Sequence, residues 1–311
     1  MIVYRGGVDV MGDLLGGVRA RGRVFHRRAS SPPWALRFAA PPSLALATMV
    51  RGEAWVVPSG GPARPLRPGE VALVHGGRSF VIADSPGTPP RVFVHDGDGD
   101  GAGEADEPAA GGRGRPGDGH VLVTAAYRAC GDLCRRLLAV LPGLLVVPAG
   151  DARLEPVLRL LRAEVAASAP GRQVVLDRLL DVLLVVALRA WFEREEAAAP
   201  GWYVALGDPR IGRALRLIHG SPARGWTVAS LAREVGMSRA AFARRFAALV
   251  GQPPLAYVTE WRMALAADLL ARPDTTVAAA ARRVGYADAF GFSAAFKRVR
   301  GVSPSAVRAP G

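Results

Sequence analysis

The sequence predicts an α+β chain of two domains: a strand-rich N-terminal half with appended helices, and an all-α C-terminal half. Three observations lead there. Short apolar segments punctuated by Pro and Gly fill roughly the first 95 residues. A long apolar helical stretch follows from Val174 to Trp191, and one helix-turn-helix (HTH) pattern is then written twice between Thr227 and Arg308. At 311 residues the chain is long enough for two full cores.

In the first half, VFHRR, WALRFAA, LALATMVRGEAWVV, EVALVHGG and FVIAD read as strands. The longest apolar stretch, 174–192, is interrupted by Asp177, Arg178, Asp181 and Arg189, so no membrane span is expected. On a helix it places Val175, Leu179, Val182, Val186 and Arg189 near one face and Leu176, Leu180, Leu183, Leu184 and Ala187 near another. That is more apolar surface than one domain needs, and it predicts a homodimer. The N-terminus MIVYRGGVDVMGDLLGG lacks a basic start followed by an apolar run, so no signal peptide is expected. Two cysteines argue against a disulfide framework and fit a reducing cytoplasm.

The repeat pairs TVASLAREVGMSRAAFARRFAALVG with TVAAAARRVGYADAFGFSAAFKRVRG, giving HTH units at about 227–250 and 276–300. Thr227 and Thr276 are N-cap types for the first helix of each unit. Gly236 and Gly285 end those helices where a left-handed backbone is needed, which a residue without Cβ adopts at little cost. Ser238 and Asp288 are N-cap candidates for the second helices, whose Phe pairs, 242/246 and 292/296, sit four apart and must share the core face.

With the Phe pairs inward, the opposite side of the first unit's second helix presents Arg239, Ala240, Ala243 and Arg244, with Arg245 on its flank. The second unit presents Ala289, Phe290, Ser293 and Ala294, with Lys297 and Arg298 one turn on. Arg bonds bidentately to guanine O6 and N7, and Ala and Phe offer apolar contact to a thymine methyl, so these positions predict reading of a double-stranded DNA operator. Charge agrees with this. Residues 201–311 hold 16 basic and 6 acidic side chains, a balance of +10, against 24 and 21, or +3, in 1–200. The basic half gains affinity for phosphates through counterion release.

Residues 208–308 resemble the double-HTH domain of the AraC/XylS family of transcription regulators. The most specific stretch comprises Gly285, Tyr286, Phe292, Ala295, Phe296, Lys297, Arg298, Gly301, Val302, Ser303, Pro304 and Arg308. The resemblance implies a helix of roughly 255–271 joining the units, a regulator (an activator, with RNA polymerase a possible partner), and a domain at 208–311. Family members often carry Arg where this chain has Ala294 and Tyr where it has Val307, so the first HTH is expected to dominate sequence discrimination.

In the N-terminal half, VRGEAWVV and LRPGEVALVHGG resemble the β-barrel of cupins, as found in the sensing domain of one AraC branch, and the resemblance extends through Val121 to Trp191, where it implies helices at LLAVLPGLLVV and LDRLLDVLLVVALRAW. This implies an effector-binding and dimerisation domain at 1–200. Phe25, Trp34, Phe38, Trp55 and His75 are the candidates for a pocket holding a small organic effector. The alternative of a metal-dependent cupin enzyme meets a chain whose histidines, His26, His75, His95, His120 and His219, all stand alone. Leu44, Ala45, Leu46 and Ala47 occupy the strand where the His pair would lie, so no catalytic residue, metal or cofactor is expected.

Asp96, Asp98, Asp100, Gly101 and Glu107 satisfy an EF-hand formula, but Gly103 stands where an apolar residue is usual and neither flank is helical. Nine glycines and seven acids in 96–119 instead predict a solvated, disordered insertion. Cys130 and Cys134, with Asp132 an N-cap candidate for RRLLAVL, carry the other alternative, a thiol-based redox sensor activated by Arg128, Arg135 and Arg136. The competing reading is two half-buried residues at a strand-to-helix junction.

Overall fold

The computed structural model describes residues 9–15, 20–28, 33–39, 43–90, 92–94, 119–127, 131–167, 169–194 and 199–308. Its elements begin with α1 (Val10–Leu15), β1 (Ala20–Arg28), β2 (Ala35–Phe38), β3 (Leu44–Arg51), β4 (Ala54–Pro58), β5 (Arg64–Leu66), β6 (Val71–His75), β7 (Phe80–Ala83) and β8 (Val92–Val94). There follow β9 (Gly119–Tyr127), α2 (Gly131–Leu138), β10 (Leu144–Val147), α3 (Leu154–Ala166) and α4 (Arg172–Phe192). The remainder is helical: α5 (Gly201–Leu206), α6 (Pro209–Gly220), α7 (Val228–Glu234), α8 (Arg239–Val250), α9 (Pro254–Leu270), α10 (Val277–Arg283), α11 (Ala289–Arg300) and α12 (Pro304–Val307). The EF-hand-like loop and Cys130 lie outside the described residues, as does the glycine-rich insertion apart from Gly119.

The chain divides into two compact units, one of residues 18–129 and 141–197, the other of residues 1–17, 130–140 and 198–311. The strand-rich unit holds two five-stranded sheets, ordered β1-β9-β3-β6-β10 and β5-β4-β7-β2-β8. Residues of both sheets, among them Leu36, Phe38, Ala47, Met49, Val56, Leu66, Val74 and Ile82, form one core cluster, so the sheets close on each other around a filled interior. This is the cupin-like architecture expected from the strand pattern. β9 follows the glycine-rich insertion in sequence but pairs antiparallel with both β1 and β3, a non-local position that local patterning does not reveal.

β3 and β6 are buried along nearly their whole length, because the face turned away from the core is also covered. α4 packs against β1 and β10 of this sheet and buries Leu176, Leu180, Leu183, Leu184 and Ala187. Each such leucine contributes about 1.5–3 kcal/mol of burial. Tyr127 Oη donates to the Leu180 carbonyl at 2.7 Å. Burial, followed by the nearby Asp181 and Asp177, pushes that phenol well above its ordinary value. The acidic residues interrupting the α4 stretch have a structural use: Asp181 and Asp177 accept the Ala20 and Gly22 amides of edge strand β1 at 2.7 and 2.8 Å. An edge that would otherwise present free N–H groups is thereby satisfied.

The helical unit takes in α1 and α2, two segments from the first 200 residues, besides everything from 198 onward. Its second-HTH core joins Met263, Ala266, Ala267, Leu269 and Leu270 of α9 to Ala280, Ala281 and Val284 of α10 and Phe292 and Phe296 of α11. On the first-HTH side, Phe246 meets Tyr257 edge-on at 5.8 Å, and His219 stacks on Trp261 at 3.6 Å with its Nε2 2.8 Å from Tyr257 Oη. α9 therefore serves as a shared wall for both HTH units.

Candidate nucleic-acid interface

Each HTH unit is built from local signals that the coordinates place as the residue types require. Thr227 Oγ1 accepts the Ser230 amide at 3.0 Å, and Ser230 Oγ accepts the Thr227 amide at 2.9 Å, closing a reciprocal cap. Thr276 caps α10 through the Ala279 amide at 3.1 Å. Ser238 caps α8 through Ala241, and Asp288 caps α11 through Gly291, at 3.3 and 2.7 Å. Gly236 and Gly285 follow α7 and α10 with φ of +65° and +86°, the left-handed region in which a side chain is costly. Their surroundings differ. A Cβ on Gly236 would meet open space, whereas one on Gly285 would lie 2.5 Å from the Ala223 carbonyl oxygen.

Within α8 and α11 the two Phe pairs are fully buried. The opposite surfaces are the ones carrying the expected contact residues: Arg239, Ala240 and Arg244 on α8, and Ala289, Phe290, Ala294, Lys297 and Arg298 on α11, are all exposed, with Ala243 and Ser293 half-buried. Phe290 is 85% exposed, unusual for an aromatic residue that no partner covers. Lys297 and Arg298 also sit in the last turn of α11, where cations are favoured by the helix dipole whether or not DNA is present.

A family profile described as Cupin matches residues 9–193, and one described as Helix-turn-helix domain matches residues 231–310. An AraC-like transcription regulator of Streptomyces lividans is 33% identical over 305 residues, covering 97% of this chain and 98% of that protein. The chain belongs to the AraC-like transcription regulators. As a member of that family it is a DNA-binding regulator, with a cupin-like domain ahead of its double HTH. The HTH-type transcriptional regulator AlkR of Acinetobacter baylyi is similar over a shorter span, 34% identical over 177 residues, 55% of this chain and 58% of that protein. Among solved structures, the DNA-binding domain of AdpA in complex with a target DNA is 31% identical, covering 32% of this chain and 89% of that one, with a TM-score of 0.31.

Two site residues of this AraC-like regulator stand differently from their sequence reading. Arg245 is held by Asp208, the N-cap of α6, through Nε and Nη2 at 2.9 and 2.5 Å, so its guanidinium is engaged within the unit. Burial raises the Asp208 pKa, but the Ile211 and Arg210 amides and the Arg245 guanidinium outweigh it and hold the carboxyl below its ordinary value. Arg262, read from the sequence only as part of the joining helix α9, donates to the Pro222 and Arg224 carbonyls at 2.7 Å each and fixes the loop ahead of α7. Asp132 is the other correction. It is not the N-cap of α2; the α2 amides of Asp132 and Leu133 are bonded to Asp268 of α9, leaving the Asp132 carboxylate for other partners.

In the cupin-like unit the four pocket candidates whose side chains are described stand in different surroundings. Trp34 and Phe38 are buried in the core cluster, with Phe38 stacked on Phe80 at 4.5 Å. Trp55 alternates with buried Ala54 and Val56 and so points to the other face of β4. The Phe25 side chain lies outside the described residues. His75 lines a cleft of about 310 Å³, beside Arg64, Arg78 and Gly143, with its Nε2 2.7 Å from the Leu141 carbonyl. Among the described residues no cluster of three or more His, Cys, Asp or Glu could hold a metal, and no helix is long and apolar enough to cross a membrane. Cys134 is buried in α2.

Proposed function

We propose that this regulator reads its operator with both HTH units, α8 and α11 each entering a major-groove segment, and that a small organic effector bound by the cupin-like unit controls how they are presented. The observation that carries the reading is the doubled unit itself: two capped helices whose buried Phe pairs turn Arg239 and Arg244, and Phe290 and Lys297, outward. α8 supplies the guanidinium groups that discriminate bases, while α11, with Ala294 and Phe290, supplies apolar contact and phosphate charge. The chain acts as a homodimer through α4, whose Val174, Val175 and Val182 are exposed. It carries no enzymatic activity, and its cellular place is the cytoplasm.

The test is a hydroxyl-radical footprint of the full chain on a site selected from random duplex DNA. Two protected segments per protomer, about 10 bp apart, are expected. Protection of one segment alone would show that α11 does not enter the groove.

A further inference from the structure

α2 belongs to the helical unit although the chain reaches it from β9 and leaves it for β10, both strands of the other unit. Its attachment there is specific. Asp268 of α9 accepts the first α2 amides, those of Asp132 and Leu133. Gly131 makes this approach possible: its φ is +84°, and a Cβ there would lie 2.5 Å from the Asp268 Oδ1. Freed from capping, the Asp132 carboxylate receives both guanidinium nitrogens of Arg300, the last residue of α11, with Nη1 at 2.6 Å from Oδ2. The pair is sequestered, Asp132 being 4% exposed. Arg136 of α2 completes the contact by reaching Glu260 of α9 at 3.3 Å.

The consequence for α11 follows from its geometry. Phe292 and Phe296 anchor one face of this helix in the α9–α10 core and set which side turns outward, but an apolar contact is non-directional, so the fine setting of the roll rests on polar contacts at the end of the helix. A two-pronged guanidinium–carboxylate pair is directional, and here it holds the C-terminal end of the helix whose middle turns present Phe290, Ala294 and Lys297. We propose that Asp132 is a positioning residue for DNA recognition: through Arg300 it fixes the roll of the second recognition helix, and Asp268 in turn fixes Asp132. Because α2 is joined along the chain at both ends to strands of the cupin-like unit, this link is also one covalent route by which a change in that unit reaches the operator. The proposal rests on the reading that both HTH units contact DNA.

The experiment is the footprint of the full chain, repeated for Asp132→Asn, Gly131→Ala and Asp132→Glu. Asp132→Asn removes the charge, and Gly131→Ala separates α2 from Asp268 without altering any charge. Both are expected to lose protection in the α11 segment while keeping the α8 segment, with operator affinity falling on the order of tenfold, the scale of one good base-pair contact. Asp132→Glu, which retains the carboxylate, restores most of it. A general folding defect would weaken both segments together, and that result would overturn the proposal, as would unchanged protection in Asp132→Asn. A wild-type footprint confined to one segment would instead overturn the two-unit reading, and the proposal with it.

Discussion

Gly236 and Gly285 occupy equivalent places in the repeat, yet alanine at the two positions is expected to have unequal effects. Each has positive φ, +65° and +86°, so each Ala substitution meets the left-handed penalty of about 1–2 kcal/mol. For Gly236→Ala that is the whole cost, since nothing lies within 4 Å of the added Cβ. For Gly285→Ala the new atom would stand 2.5 Å from the Ala223 oxygen and 2.8 Å from its Cα, and both are backbone atoms that cannot rotate away. Displacing a packed segment adds roughly 1–3 kcal/mol, so the second variant should lose about 2–5 kcal/mol in total. Scanning calorimetry of the full chain resolves this, with the helical unit's transition identified as the one raised by operator DNA. A difference of 1 kcal/mol corresponds to roughly 2–4 °C for a unit approaching 150 residues, so the Gly285→Ala transition should fall below that of Gly236→Ala by several degrees. Equal shifts would refute the reasoning, because they would mean that the Ala223 loop yields freely.

Three further outcomes follow from the geometry. Thr227→Ala removes one half of a reciprocal cap and should cost about 1 kcal/mol of helical-unit stability, measured by the same calorimetry. Asp208 has a lowered folded pKa, so its contribution is present above the unfolded value of about 3.9 and is lost as pH falls through the lower folded value. The stability gap between wild type and Asp208→Asn should therefore be largest near neutral pH and shrink below about pH 4; a gap that widens on acidification would contradict the assignment. Val175→Glu with Val182→Glu places two charges on the exposed face of α4 and should convert a dimer to a monomer in sedimentation, and a wild type already monomeric at micromolar concentration would remove the dimer from the account.

How much was legible in the sequence depended on range. The four HTH caps and the two turn glycines act within three or four residues of chain, and all six are found as their residue types imply. The Phe pairs were equally readable, since a spacing of four fixes a shared face whatever packs on it. α9 lies within a residue of its expected span at each end. What was not legible joins distant segments. Asp132 has the right residue type to cap a helix, and only the arrival of Asp268, 136 positions away, reassigns it. Arg245 looks like a free recognition-helix cation until Asp208, 37 positions away, is seen to hold it. The pocket candidates meet a related limit: an aromatic residue on a barrel strand has the same signature whether it fills the core, as Phe38 does, or lines a cavity.

The central claim, that the doubled HTH reads two successive groove segments, is tested most directly by selecting binding sites from random duplex DNA with wild type, Arg244→Ala and Phe290→Ala. Wild type should enrich two blocks of preferred bases about one helical turn apart. Arg244→Ala should lose preference at one position of one block, at a cost of about 1–3 kcal/mol there, and Phe290→Ala should lose preference only in the other block. A single enriched block, or two blocks whose base preferences neither substitution changes, would contradict it.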